Sequence, residues 1–307
     1  MRTIPCPLCL NTTSRRVWQQ VYAHLTLTTV LCPTCGLVYH NPVLEENDRQ
    51  DLGLSHRELH TDAVIGPRHL RRVGRRLALQ AAFLQTVVQP GWRTLEIGCG
   101  LGFLSDWLSR QGCVAVGLEP DWQQAEFARE RFGLEIINVR MEEATLSRQF
   151  DFMASSHVIE HFPEPLAFLK NLHTLAAPGA LLFLETPNIL APKVGPRRVF
   201  SLAHNFYFSP QTLTAGLAKT GWQVERLRIF RRDSFMVLAR AQQAREPRFN
   251  PRHAQEVWQA IVRHRRQYYL NLLFIWRKIP LWRRLWMYHY LDYAGVPEII
   301  NPSVSEG

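Results

Sequence analysis

The sequence predicts an α/β fold: a largely parallel sheet covered by helices on both faces, a small metal-binding ribbon in front of it and a helical extension behind. Three observations carry this. The run TLEIGCGLG at 94–102 reads as a buried strand that ends in a glycine-rich turn and opens a helix. The run VAVGLEP at 114–120 reads as the next parallel strand, with the carboxylate of Glu119 at its carboxyl end, where it can accept hydrogen bonds from ribose hydroxyls. Two pairs, Cys6-x-x-Cys9 and Cys32-x-x-Cys35, stand about twenty residues apart near the N-terminus.

The elements follow in order. Residues 1–42 form the ribbon: a proline follows the first cysteine of each pair, Gly36 follows the last, and the Val-, Leu- and Thr-rich stretch between makes a hairpin. Four thiolates at this spacing suit a tetrahedral Zn2+ with no open position, which makes Cys6, Cys9, Cys32 and Cys35 structural ligands. Residues 43–69 are polar and without periodicity, a linker or flap. Leu70, Val73, Leu77, Ala81, Leu84 and Val88 recur at three and four, one face of a helix. Strands are expected over 93–98, 113–119, 134–139, 150–156, 179–186, 223–230 and 234–240, with helices over 102–111, 121–132, 164–176 and 210–220. The last two strands pair antiparallel through a turn near Arg231, Arg232 and Asp233. Cys99 and Cys113 read as packing residues. From 241 to 307 arginines and aromatics interleave, Arg265, Arg266, Tyr268, Tyr269, Trp276, Arg277, Trp282, Arg283 and Trp286 among them. That is either a helix pair packed on the domain or, over 258–290, a basic surface for peripheral membrane contact.

Composition bounds the function. The chain has 307 residues, enough for one large domain or two smaller ones, and 46% of them are apolar. The formal net charge of +10 favours anionic partners, or reflects an arginine-rich solvated surface. No run of about 18 apolar residues is present, which excludes a membrane-spanning helix, and the first residues lack the apolar core of an export signal. The expected location is cytoplasmic, with the inner membrane surface as the peripheral alternative, and thiols there stay reduced.

Glu96, two residues before the first glycine of a G-x-G-x-G turn, resembles motif I of the class I S-adenosylmethionine (SAM) methyltransferases, in their UbiG-like branch. A dinucleotide site would hold a pyrophosphate at this turn, where Glu96 would repel it; SAM brings an ammonium and a sulfonium instead. The resemblance continues in order across residues 70–240. FDFMASSHVIEHFPEP at 150–165 looks like the family's fourth strand and exit loop. LAAPGALLFLETPN at 175–188 looks like its L-x-P-G-G-x-L turn, fifth strand and TPN loop, with Ala180 where glycine is usual. HNFYFSP at 204–210, then Leu213, Gly221 and Trp222, resembles a further family stretch. The resemblance implies a Rossmann-like sheet of seven strands with a reversed final strand, SAM as cofactor and methyl transfer as the activity.

It also implies roles. Glu96, Gly98, Gly100 and Gly102 face the amino-acid end of SAM, Glu119 takes the ribose, Met141 and Glu142 flank the adenine, and His157 lines the cofactor cleft. His204, His161 and Tyr207 are the candidates for a base, which a hydroxyl acceptor needs. His157-x-x-Glu160-His161 also matches an inverted zinc-protease signature, but it follows a strand and precedes Pro163 and Pro165, where that motif needs a helix. A ribbon ending in CGLVYHNP before such a domain resembles methyltransferases of bacterial polysaccharide and secondary-metabolite pathways. The acceptor implied is a small molecule, a glycan or a lipid-linked intermediate, preferably at oxygen. The alternatives are a zinc-ribbon RNA methyltransferase gripping phosphates and a SAM-binding protein without transfer activity.

Overall fold

The computed structural model describes residues 1–22, 25–45, 47–48, 65–146, 149–230 and 233–278, with backbone alone for 272–278. Most of the 43–69 stretch, the turn at Arg231 and Arg232, and the tail from 279 onward with Trp282, Arg283 and Trp286 lie outside the described residues. The chain packs as two compact units, Met1–Ile261 and Val262–Gly307. A C-terminal helix, His253–Lys278, runs from the first into the second.

In the first unit the N-terminal stretch folds as the expected hairpin, β1 (Arg15–Tyr22) and β2 (Leu25–Leu31), antiparallel with Tyr22 opposite Leu25. A third strand, β3 (Val38–His40), joins β2. No local pattern marks the fourth: Phe206–Tyr207 (β9), more than 160 residues away, pairs antiparallel with β3 through Val38↔Tyr207 and Tyr39↔Phe206. Two residues are too few to show an alternation.

The main sheet has seven strands among the described residues, in the order β10–β11–β8–β7–β4–β5–β6. They are β4 (Arg93–Ile97), β5 (Val114–Leu118), β6 (Glu135–Ile137), β7 (Phe150–Ser156), β8 (Ala176–Pro187), β10 (Trp222–Phe230) and β11 (Ser234–Ala241). β8, β7, β4, β5 and β6 run parallel, and β11 is antiparallel to both β8 and β10. This is the Rossmann-like α/β architecture with a reversed last strand. The strand order reverses at β4, whose neighbours are β5 and β7. Ligands of such sheets bind beyond the strand ends at that point.

Local chemistry sets the helices. α1 (Pro67–Leu84) begins on Pro67, whose fixed φ suits the first turn. α2 (Phe103–Arg110) starts from Gly102 in the left-handed conformation. α3 (Trp122–Phe132) is capped by Asp121, which accepts from the amides of Gln123 and Gln124, and it stops at left-handed Gly133. α4 (Pro165–Thr174) and α6 (Pro210–Lys219) also open on proline, and Ser209 and Thr212 form a reciprocal capping box on α6. A single turn, α5 (Pro196–Val199), precedes β9. The long C-terminal helix is α7.

Strand alternation sends side chains to two cores. Phe152, Ala154, Leu181, Phe183, Met236 and Leu238 meet Phe83, Leu84, Leu104 and Leu108 of α1 and α2. Their neighbours Met153, Leu182, Leu184, Phe235 and Val237 meet α4 and α6 on the other face. Cys6, Leu8, Cys32, Cys35, Leu37 and Tyr39 belong to that second core. The cysteine ribbon is therefore packed into the same interior as the sheet. Among the described residues no helix is long and apolar enough to cross a membrane.

Candidate active site and cysteine centre

The glycine turn is shaped by contact. A Cβ on Gly98 would lie 2.5 Å from Val158 Cγ2, and one on Gly102 would lie 2.7 Å from Ala128 Cβ and 2.9 Å from Leu134 Cδ1; both residues have positive φ. Gly98 thus lets the β4 exit approach the β7 exit, and Gly102 lets α2 approach α3. Gly102 acts by packing and does not line the cleft. Gly100 does line it, and its amide donates to Glu119 Oε2 at 2.8 Å. Glu119 Oε1 accepts from the Asp121 amide at 2.9 Å. The β5-end carboxylate is thereby fixed, with an unused lone pair on each oxygen. Glu96 accepts from Ser105 Oγ at 2.6 Å.

Burial pushes both carboxyls up, Glu96 to about 8 and Glu119 to about 7. Above the ordinary 4.5 the folded chain therefore holds protons that the unfolded chain has released. The stabilisation from these two groups is complete below about 4.5 and is lost as pH rises through about 7 and 8. A ligand that needs them ionised binds more tightly over that same rise. S-adenosylhomocysteine affinity, measured by calorimetry between pH 6 and 9, is expected to climb by about tenfold or more per unit between pH 6 and 8 and to level off toward 9.

Between these strand ends lies a cleft of about 830 Å³. Glu96, Gly98, Gly100, Glu119, Met141, Glu142, His157, His161 and His204 line it, so the structure brings most of the expected site residues together. Met141 and Glu142 sit in the turn after β6. Tyr207 stays outside the cleft: its hydroxyl lies 3.0 Å from His40 Nε2 and donates to the His204 carbonyl at 3.3 Å, which ties the ribbon to the main fold.

A polar network missing from the sequence reading underlies the histidines. His157 adopts φ 57°, strained for a residue with a side chain. Its Nδ1 lies 3.4 Å from Glu160 Oε1 and its Nε2 3.5 Å from Glu185 Oε1. Glu185 Oε2 also accepts from Gln80 at 2.7 Å and Ser156 at 3.0 Å, and Arg76 stands 3.8 Å from Oε1. Contact with His157 holds Glu160 down at about 2 and Glu185 below the usual range, against the upward push of burial.

Glu160, His161 and His204 each bring a ligand-capable atom within 4.8 Å of the others. His161 Nδ1 donates to the Ala203 carbonyl at 2.5 Å, which fixes the ring proton on that nitrogen. Burial, then the charge of His161, depresses His204 to about 3, so it stays neutral and is a poor base at physiological pH. Asn205 locks this corner to the ribbon. Its amide nitrogen donates to the carbonyls of Leu44 and His161, its carbonyl oxygen accepts from the Leu44 amide, and its backbone bonds to Glu160 and His40.

The four cysteines converge too. Cys6 and Cys35 sulfurs are 3.4 Å apart, as are those of Cys9 and Cys32, and all four lie within 4.8 Å of one another. Tetrahedral zinc with thiolates at about 2.3 Å spaces sulfurs at about 3.8 Å, so the donor set fits. Both knuckles close alike, Leu10 N–H on Cys6 O and Gly36 N–H on Cys32 O. Contact with Cys32, together with burial, raises the Cys6 and Cys35 thiols, a state that a bound cation reverses.

Residues 68–227 match the family model described as a methyltransferase domain. Among curated relatives, the ubiquinone biosynthesis O-methyltransferase of Coxiella burnetii (strain Dugway 5J108-111) is 26% identical over 147 residues, 42% of this chain and 63% of that protein. The protein of that name from Ruegeria pomeroyi is 36% identical over 104 residues, 32% of this chain and 42% of that one. The chain thus spans less than two thirds of the length of these relatives. Among solved structures, magnesium protoporphyrin IX methyltransferase from Synechocystis PCC 6803 with bound SAH aligns at 19% identity and TM-score 0.47, covering 61% of this chain and 92% of that one.

Proposed function

The chain belongs to the methyltransferase-domain family, and we propose that it transfers a methyl group from SAM to oxygen of a small-molecule, glycan or lipid-linked acceptor. The observation that carries this reading is Glu119, held at the end of β5 by the Gly100 amide and lining the cleft. The O-methyltransferase names of the relatives favour oxygen as the acceptor atom.

SAM, when bound, supplies a methyl group on a sulfonium. The residues fit that ligand. Glu119 has lone pairs for two ribose hydroxyls, Glu96 places near the amino-acid end a carboxyl whose ionisation the ligand's ammonium favours, and Gly98 lets the turn pack against Val158. Met141 and Glu142 stand where the adenine would lie. His157, anchored by Glu160 and Glu185, shapes the wall between cofactor and acceptor. His161 takes the acceptor proton at Nε2, because the Ala203 carbonyl fixes the proton already on Nδ1. His204 packs edge-on against it at 4.8 Å between ring centroids and holds the ring in place. α1, the 194–204 segment and the ribbon residue Tyr22 line the rest of the cleft.

Cys6, Cys9, Cys32 and Cys35 hold one structural Zn2+ that closes the ribbon.

The test is His161→Ala with methyl-labelled SAM and fractionated bacterial extract. Transfer is expected to fall about 10²–10⁴-fold while S-adenosylhomocysteine affinity stays within about twofold. Label that enters the RNA fraction and disappears on RNase treatment would instead support the RNA reading.

A further inference from the structure

One residue of the cysteine ribbon reaches the cleft. Tyr22 is the last residue of β1 and lines the same cleft as the glycine turn and His161. Its ring packs on Leu25, Leu27, Leu44 and Leu202, a cluster drawn from the hairpin, the chain after β3 and the chain before β9. An aromatic ring held in this way leaves its polar tip to a partner of its own.

The neighbours of the hydroxyl set its role. Gln20 Nε2 donates to the phenolic oxygen at 2.9 Å and also to the Phe200 carbonyl. A carbonyl only accepts, so the second bond fixes which end of the Gln20 amide faces Tyr22. The Leu202 backbone bonds to the same oxygen in the sense that favours its ionised form, which makes the Leu202 N–H the donor. The phenolic oxygen thus accepts twice, and among the described residues none accepts its proton. Burial holds the phenol above its usual range, against the charge of Arg197 and the Leu202 bond, so that proton stays in place.

The hydroxyl also stands beside the chemistry. Leu202 bonds to Tyr22, and the next residue, Ala203, takes the His161 ring proton on its carbonyl at 2.5 Å. Two consecutive residues of one segment therefore tie down a donor from the ribbon and the proposed base, and Ser201, Ala203 and His204 of that segment line the cleft with them. Small-molecule sites fix their ligands by a few polar groups placed in this manner.

We infer that Tyr22 contacts the methyl acceptor: its phenolic O–H donates to an oxygen of the acceptor, a hydroxyl, carbonyl or acid oxygen, while His161 takes the proton of the hydroxyl being methylated. The cysteine ribbon, which carries Tyr22, thereby takes part in selecting the acceptor. This rests on the methyltransferase reading above.

The experiment compares wild type, Tyr22→Phe and Val21→Thr, each full-length and zinc-loaded. Phenylalanine removes the hydroxyl alone. Val21 is the adjacent hairpin residue, 61% exposed and outside the cleft lining. The acceptor probe is the pool of heat-treated, fractionated bacterial extract that takes label from methyl-labelled SAM with wild type, supplied as a dilution series. In Tyr22→Phe the half-saturating amount of that pool is expected to rise about three- to tenfold, the loss of one uncharged hydrogen bond, while the rate at saturation, S-adenosylhomocysteine affinity, zinc content and Tm hold. Val21→Thr is expected to match wild type. A half-saturating amount unchanged in Tyr22→Phe overturns the inference. A rise shared by Val21→Thr, or accompanied by loss of zinc or of cofactor affinity, also overturns it and makes Tyr22 part of the scaffold. A wild type that binds S-adenosylhomocysteine but labels no pool overturns the transfer reading and this inference with it, whereas label with an unchanged half-saturating amount overturns the inference alone.

Discussion

Replacing Cys32 by serine is expected to remove the zinc, lower Tm by about 10 °C or more and abolish methyl transfer. The size of the effect follows from where the ribbon sits. Cys6, Cys32 and Cys35 are buried in the core that also contains Phe168, Leu213 and Val237, so opening the knuckles exposes an interior shared with the sheet. A Cβ on Gly36 would meet His253 Cδ2 at 2.8 Å, and Lys219 donates to the Leu8 carbonyl at 3.0 Å, so the knuckles also brace α6 and the start of α7. The route to activity is Asn205, which joins Leu44 and His40 to Glu160 and His161. S-adenosylhomocysteine affinity should change less than transfer, because Glu119 and the glycine turn are built by β4, β5 and α3. Metal content, thermal denaturation and a binding titration on the same sample check all three. A variant that keeps its Tm and its activity without metal would show that the ribbon only decorates the fold.

Replacing Glu160 by alanine is expected to destabilise the protein by about 3–5 kcal/mol, the cost of breaking a buried charged set on one side. Glu160 is 1% exposed, faces His157 and accepts from Thr186 Oγ1 at 3.1 Å. Its loss leaves a buried hydroxyl without an acceptor and removes one of the two carboxylates that flank the His157 ring. Denaturant titration reads the stability. The pH profile reads the charge: Glu160 sits at about 2 in the fold, so its contribution is complete above the ordinary 4.5 and is lost as pH falls toward 2. In wild type this produces a loss of stability in that acid window, and Glu160→Ala should flatten it. An unchanged acid limb in the variant would place the acid-sensitive group elsewhere.

The sheet was legible because its signals are local. Gly98 and Gly102 are demanded by close contacts and Glu119 by its place at a strand end, and each leaves a trace in spacing. The hairpin and the converging cysteines were legible for the same reason. Pairings between distant segments were not. Nothing near Phe206 and Tyr207 announces a partner at Val38, and Asn205 looks like any loop asparagine until Leu44 and His161 are brought beside it. Glu185 stood in plain sight at the end of a strand, but its role depends on Gln80 and Arg76 arriving from α1. Among the base candidates, spacing could not rank His161, His204 and Tyr207. The proposal of His161 rests on burial of His204, the Ala203 carbonyl on His161 and the hydrogen-bonded hydroxyl of Tyr207.

The central claim is that the glycine turn and Glu119 hold the adenosyl cofactor. Calorimetric titration of S-adenosylhomocysteine into the zinc-loaded chain, beside Gly98→Ala, tests it most directly. The predicted result is one saturable site per chain, weakened at least about 100-fold in the variant, because at φ 68° the added methyl group meets Val158 at 2.5 Å and the turn must shift. No saturable binding in wild type, or equal binding in Gly98→Ala, would contradict it.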